Sequence, residues 1–399
     1  MELLVPHSLA EVEDMVASAL AARTPLSVLG QGSKAGLGQA VAQPVGLSTR
    51  AMTGITLYEP EELVLSCGAG TPLSEIEATL AERSQQLSFE PPDASAWYGG
   101  EPGRSTMGGV FATNLAGPRR FKAGAPRDHL LGVQCVTGRG EAIKTGGRVV
   151  KNVTGYDLCK LLAGSFGTLA VMGHLTFKVL PASERTATLA IFGEDLHDLA
   201  ARLRAASGTA YEISGATLLP PAAARRTGID ALASAGGAVA LLRLEGVAPS
   251  VEDRMAGLIR QVVGDSAPHR VIEEESLALW RAIRDLAVLP DRPVLWRLSL
   301  APTAGPDAAR ALMALGADLF LDQVGGQVWA ALDEAQAGLV RALTDLGGHA
   351  TLMRAPDADR REVAVFQPQQ PPLAALARRV KQSFDPEGIL EPGRMTLAA

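Results

Sequence analysis

Val149-Val150-Lys151-Asn152-Val153-Thr154-Gly155-Tyr156-Asp157-Leu158-Cys159-Lys160-Leu161, with Gly164-Ser165-Phe166-Gly167-Thr168-Leu169 close behind, is the stretch on which the reading of the fold turns. It is the third glycine cluster of the N-terminal half. The first, Gly30-Gln31-Gly32-Ser33-Lys34-Ala35-Gly36-Leu37-Gly38, follows a short β-prone run, Leu26 to Leu29, and the second spreads from Phe89 to Gly117. Closely spaced glycines let backbone N–H groups converge on an anion, because a missing Cβ permits positive φ and close approach. The natural ligand of such a loop is a diphosphate. Gly30-x-Gly32-x-x-x-Gly36 has the wrong spacing for GxGxxG, and no GxxxxGK[ST] occurs, so the chain reads as neither Rossmann nor P-loop. One glycine loop after a strand is most often an ordinary turn. Three in one half point to an extended cofactor.

Around these loops the patterning alternates between helix and strand. Ser8 followed by Glu11 is a capping box opening a helix over Val12 to Leu20. Leu63 to Cys67 reads as a strand, Gly68-Ala69-Gly70 as a turn, and Thr71 as the cap of a helix from Pro72 to about Arg83. Leu131 to Lys144 reads as a hairpin turning at Thr137-Gly138-Arg139-Gly140, and Leu175 to Leu180 as a strand. After Pro181 alanine-rich helical runs (Leu196 to Ala206, Val251 to Val263, Ala308 to Leu315, Leu339 to Leu346) alternate with strands such as Ala238 to Leu244 and Val294 to Leu300. That alternation predicts a second α/β or α+β domain with helices on a small sheet. Gln367 to Pro372 is a proline-rich linker before a last helix, Leu373 to Phe384.

Composition narrows the classes. The 399 residues are 47% hydrophobic and 20% charged, enough for a sizeable core in two or three domains. A net charge of -6 gives no electrostatic reason to seek nucleic acid. Cys67, Cys135 and Cys159 lie far apart, which suits a reducing compartment and provides neither a disulfide framework nor a cysteine-ligated iron–sulfur cluster. The N-terminus does not read as a signal peptide, and the longest apolar stretch, Leu161 to Gly173, falls short of the roughly 18 residues of a membrane span.

The third cluster resembles the FAD-binding domain of the vanillyl-alcohol oxidase, or PCMH, type. Leu29-Gly30-Gln31-Gly32-Ser33 is similar to that family's pyrophosphate loop, and Thr106-Met107-Gly108-Gly109-Val110-Phe111-Ala112-Thr113-Asn114 to its second flavin-contacting loop. Arg127-Asp128-His129-Leu130-Leu131-Gly132 and the tail Phe384 to Arg394 fit as well. Gly117-Pro118-Arg119-Arg120 and Leu295-Trp296-Arg297-Leu298 make the chain most similar to the E-type, FAD-binding subunits of bacterial glycolate oxidase.

The resemblance implies an α+β fold with a two-subdomain FAD-binding domain (1–181), an α/β cap domain (182–366) and a C-terminal helical tail packing back on the first (367–399). It implies FAD, held non-covalently, since no histidine stands at the loop positions used elsewhere for covalent attachment. By matching positions, Gly30, Gln31, Gly32, Ser33 and Lys34 would hold the pyrophosphate. Thr106, Gly108, Gly109, Thr113 and Asn114 would line the adenine and flavin side, and Gly155, Asp157, Gly167, Leu169 and Val171 would complete the cleft. Lys34 reads either as a neutralising charge or as a solvated loop lysine. No metal site is expected. The HxGDGNxH motif of related 2-hydroxy acid dehydrogenases does not occur, and Glu391 stands where the family commonly shows Asn before Pro-Gly.

The function so implied is that of the FAD-binding subunit of a glycolate oxidase complex. A catalytic flavoprotein subunit and an iron–sulfur subunit would be its partners, a small 2-hydroxy acid the substrate, and the inner face of the cell membrane a peripheral location reached through partners from the cytoplasm. A self-sufficient hydroxy acid dehydrogenase and a non-catalytic scaffold stay open as alternatives. A substrate carboxylate needs a cation, and arginine's fork matches it bidentately. Arg297, mid-strand among apolar residues, is the candidate, with an outward-facing arginine as the other reading. His174, on a strand beside the third cluster, reads as flavin-near or as structural.

Overall fold

The computed structural model describes residues 2–148, 156–263, 268–345 and 347–396. Val149 to Thr154 and Gly155 lie outside the described residues. The chain folds as two units, one of Met1–Ala116, Gly124–Ala182 and Arg360–Ala399, the other of Gly117–Ala123 and Ser183–Asp359. The change at Ala182 falls where the composition shifts. The return comes at Arg360, ahead of the Gln367 run, because Arg360 is already built into the first unit: its guanidinium donates to the Gly38 carbonyl at 2.8 Å and its own carbonyl accepts from the Gln39 amide at 2.6 Å.

In the first unit a parallel sheet is ordered Glu2–Leu4, Val45–Ser48, Leu26–Leu29. The helix Leu9–Ala22 starts at Ser8, whose hydroxyl accepts from Glu11 N at 3.2 Å, while the Glu11 carboxylate accepts from His7 N at 2.9 Å. Its face Val12, Val16 and Ala19 packs on Leu26, Leu47, Val136 and Val171, so the predicted helix is anchored by its apolar stripe. A five-stranded sheet follows, ordered Ile55–Glu59, Val64–Gly68, Ala170–Lys178, Leu130–Thr137, Ala142–Gly146, all antiparallel. Thr71 is not the cap expected of it. The second helix is Leu73–Ala81 with extended Pro72 at its cap, and the Thr71 hydroxyl is occupied by Gly54 N at 3.0 Å and Gly68 O at 2.7 Å.

The tail completes this unit. Its helix Pro371–Phe384 rests Val380 and Phe384 on the core. Leu26 N then donates to Ile389 O at 2.8 Å and Glu391 N to Leu26 O at 2.9 Å, which adds the tail to the parallel sheet.

The second unit carries an eight-stranded sheet, not a small one. Its order is His269–Ile272, Arg185–Gly193, Ala238–Gly246, Gly215–Leu219, Asp318–Asp322, Gln327–Leu332, Val294–Ser299, His349–Arg354. Every pairing is antiparallel, so of the two arrangements left open it takes α+β. Helices such as Leu196–Ser207 cover it with buried Leu199, Ala200 and Leu203. The run expected as one helix to Val263 divides into Ala248–Leu258 and a π-turn, Ile259–Val263, and the run expected over Leu339 to Leu346 is, among the described residues, helical over Ala337–Ala342, with Leu346 itself outside them. Among the described residues no helix is long and apolar enough to cross a membrane.

Candidate functional site

Four glycine-bearing loops meet in the first unit. Gly108 N donates to Ala69 O at 2.7 Å and Leu73 N to Ser105 O at 2.8 Å, joining the turn after Val64–Gly68 to the second cluster. Gly164 N donates to Phe111 O and Phe166 N to Ala112 O, both at 3.0 Å, joining that cluster to the third. The first loop closes against the second so tightly that a Cβ on Gly30 would stand 2.3 Å from Thr106 Oγ1.

Within the first loop the carbonyls are tied back into the protein. Ser48 Oγ donates to Gly30 O at 2.6 Å, Arg104 Nη2 to Gln31 O at 2.7 Å, Ala35 N to Gly32 O at 3.1 Å, and Arg394 Nη2 to Lys34 O at 3.1 Å. The N–H groups of Gln31, Gly32, Ser33 and Lys34 have no protein acceptor among the described residues. Gly32 sits at φ 77, a conformation that turns successive N–H groups to one side. Carbonyls satisfied and donors left over are the signature of an anion cradle.

Lys34 is not a solvated lysine. It is 6% exposed, and its Nζ donates to Ser105 Oγ at 3.0 Å. Ser105 Oγ in turn donates to Asp93 Oδ1 at 2.8 Å, and Asp93 also accepts from Ser95 N at 3.1 Å and from Gly103 N. Burial pulls the Lys34 ammonium down to about 8, with the Asp93 carboxylate opposing the fall. Burial pushes the Asp93 carboxyl up, and the bonds from Ser95, Gly103 and Ser105 outweigh it to leave the group below its ordinary value. The sequence reading missed Asp93 and Ser105. Pro92-Asp93-x-Ser95 has the Asx-turn spacing that could have exposed Asp93, whereas nothing local marks Ser105.

The other matched residues fall into two groups. Thr106 caps the helix Met107–Thr113 and accepts from Gly109 N at 3.4 Å, Asn114 ends it at φ 53, and Gly109 and Gly167 stand beside Lys34 and Val28. These surround the meeting point. By contrast Thr113 Oγ1 donates back to Gly109 O at 2.8 Å, Asp157 caps the helix Leu158–Leu162, and the side chains of Leu169 and Val171 are in the core. The Gly108 N–H is also committed, to Ala69. Glu391 is 4% exposed and turned inward, its Oε1 accepting from Val28 N at 2.7 Å and from Arg394 Nη1 at 2.8 Å. His174 Nε2 reaches past the strand Val64–Gly68 to lie 2.6 Å from Thr56 Oγ1 on the edge strand, a structural contact.

Arg297 belongs to the second unit. Strand register sets it opposite Trp329 and Thr351, with Ser299 opposite Gln327 and His349, so these side chains share one sheet face. Its guanidinium stands 5.8 Å from the Trp329 ring centre, half-buried. Burial, then the charges of Arg297 and Arg120, pushes the His349 imidazole below its usual range. Such a face is cationic and polar. A cavity of about 610 Å³ elsewhere in this unit is lined by Phe121, Lys122, Arg204, Glu212 and Gln323. Deeper in, Glu245 accepts from Arg119 Nε at 2.8 Å and lies 3.6 Å from Arg243 Nε. Among the described residues no cluster of three or more His, Cys, Asp or Glu is placed to hold a metal.

Residues 2–146 match a family model described as an FAD binding domain. The chain is 34% identical over 387 residues to glycolate oxidase subunit GlcE of Escherichia coli K12, covering 96% of this chain and 95% of that one. It is 36% identical over 132 residues to glycolate oxidase subunit GlcD of Bacillus subtilis, covering 33% of this chain and 26% of that protein. Among solved structures it is similar to p-cresol methylhydroxylase with substrate bound, with a TM-score of 0.74 and 15% identity over 99% of this chain and 88% of that one, a likeness of fold.

Proposed function

This chain belongs to the GlcE family of glycolate oxidase subunits, and on that premise we propose that it is the FAD-binding subunit of a multi-subunit glycolate oxidase that converts glycolate to glyoxylate. The observation that carries the reading is the first loop. Its carbonyls are tied back, its N–H donors from Gln31 to Lys34 are left over, and a buried ammonium stands behind them. That donor set fits the diphosphate of FAD, which would be held non-covalently by Gly30 to Lys34 with Thr106 and Gly109 alongside. When bound, FAD supplies a two-electron acceptor; the protein supplies binding, orientation and electrostatics.

The partners follow from chemistry. Similarity to GlcE runs end to end, whereas similarity to GlcD is confined to a third of this chain, so a separate GlcD-type flavoprotein is the expected companion. Cys67, Cys135 and Cys159 are buried thiols pushed up to about 12, 12 and 11, mainly by burial, and hold no cluster spacing. Onward electron transfer is therefore assigned to an iron–sulfur protein of the same complex. Contact with a membrane would come through those partners. Arg297 is proposed as the contact for a small carboxylate, supported by its half-buried position over Trp329.

The test is reconstitution. A complex assembled with and without this chain should differ at least about tenfold in glycolate-dependent dye reduction. Undiminished activity in its absence would remove the reading.

A further inference from the structure

The Lys34 ammonium is enclosed beside the first loop rather than spread over its surface. It is more than nine-tenths buried, and Ser105 Oγ is its one hydrogen-bond partner among the described residues, so two of its three donors are unused. A Cβ on Gly109 would lie 3.6 Å from Nζ and 3.4 Å from Thr106 Oγ1, which puts the amine at the wall where the first two loops meet. With glycine at that wall, no side chain of position 109 stands between Nζ and the junction of the two loops.

We propose that Lys34 makes cofactor loading proton-linked: the diphosphate of the incoming dinucleotide is matched by a protonated Nζ, and above neutral pH the proton is taken up from solvent as the dinucleotide binds. This rests on the reading of the first unit as the FAD site. The balance is simple. Neutral amine, proton and anionic ligand become ammonium and bound anion, with no bond to carbon made or broken.

The electrostatics give the direction. With burial holding the free group at about 8, a fraction of chains carries a neutral amine at mildly alkaline pH. An anion at the loop favours the charged form and raises that value, so binding takes up a proton in the interval between the two. The other charged groups facing this spot do not reproduce the effect. Asp93 is held below the ordinary carboxylate range and keeps its charge through the interval. Arg104 and Arg394 approach from the second loop and the tail through carbonyls of Gln31 and Lys34, and Arg360 through that of Gly38. Glu391 is raised by burial, against Arg394 and the Val28 N–H, and its Oε1 is turned to those two groups.

The experiment is FAD binding to full-length apoprotein, followed by flavin fluorescence between about pH 6.5 and 9.5, with calorimetry in buffers of different ionisation enthalpy. Below about pH 8 the Kd should be flat, and above it should rise by up to about tenfold per pH unit. Calorimetry near pH 8.5 should register uptake of a fraction of a proton that vanishes near pH 6.5. Lys34→Met should weaken binding at pH 7 and abolish the slope, and Lys34→Arg should abolish the slope while keeping most of the affinity. If Lys34→Met does not fold, the buffer dependence of the unaltered chain and the Lys34→Arg profile still decide. FAD binding with a pH-independent Kd and no proton uptake would overturn the proposal and leave the FAD reading standing. Failure to bind FAD at any pH would overturn that reading and the proposal together.

Discussion

Gly30 and Thr106 are in such close contact that the hydrogen of the glycine is the largest substituent the position accepts, since a β-carbon would stand 2.3 Å from the threonine hydroxyl oxygen. The contact fixes the first loop on the second, and the Gln31 to Lys34 N–H groups of that loop have no protein acceptor among the described residues. It is a constraint on packing rather than on φ, unlike Gly32, whose φ of 77 is the requirement.

Gly30→Val should force Thr106 out of place. Overpacking of this kind costs about 1–3 kcal/mol, and the loop spacing changes with it. FAD affinity, measured by equilibrium dialysis, should fall at least about tenfold while circular dichroism stays native. Unchanged affinity would show that the two loops need not touch for binding.

Glu245 is a buried carboxylate between two arginines. Burial pushes it up, but the Arg243 charge and the Arg119 bond and charge hold it down at about 2. A depressed folded value means stability that is present above the unfolded value near 4.5 and is lost as pH falls towards about 2. Acid titration of the unaltered chain should show that loss. Glu245→Gln should destabilise at neutral pH by about 3–5 kcal/mol, because it removes the counter-charge that Glu245 presents to Arg119 and Arg243, and should flatten the acid limb.

Glu391 joins the tail to strand Leu26–Leu29 through Val28 N and Arg394. Glu391→Gln keeps an acceptor for Val28 and should be mild in a denaturant titration. Glu391→Ala leaves buried donors unmet, at about 1–3 kcal/mol, and should lower the unfolding midpoint clearly. Equal effects of the two would mean that the tail is held by its apolar contacts alone.

Arg297 is expected to act on ligand rather than on stability. Arg297→Met should weaken a small carboxylate such as glycolate or oxalate by about 10–100-fold in the assembled complex, the range of a lost charge-assisted pair. Arg297→Lys should recover part of that. A KM unchanged by Arg297→Met would take the carboxylate role from it.

The glycine loops, the capped first helix, the hairpin and most of the last helix were legible because their signals are local, such as Ser8 with Glu11 and Gly30 with Gly32, although the last helix begins at Pro371, inside the run expected as a linker. Strands such as Gly215–Leu219 and Gln327–Leu332 were not, because they are buried along their whole length and show no alternation to read. The site divided the same way. The backbone donors at Gly32 and Ser33 follow from glycine spacing. The environment of Lys34 depends on Ser105 and Asp93, brought in from a distant loop, so no local pattern could separate a buried amine from a solvated one.

Whether the first unit holds FAD and works as part of a glycolate oxidase can be read from the anaerobic visible spectrum of the purified chain. The spectrum should show a flavin band that denaturant releases into the filtrate, that persists when glycolate is added to the chain alone, and that bleaches once the partner subunits are present. A chain that shows no flavin band and takes up no added FAD would contradict the cofactor site, and bleaching by glycolate without partners would contradict the subunit role.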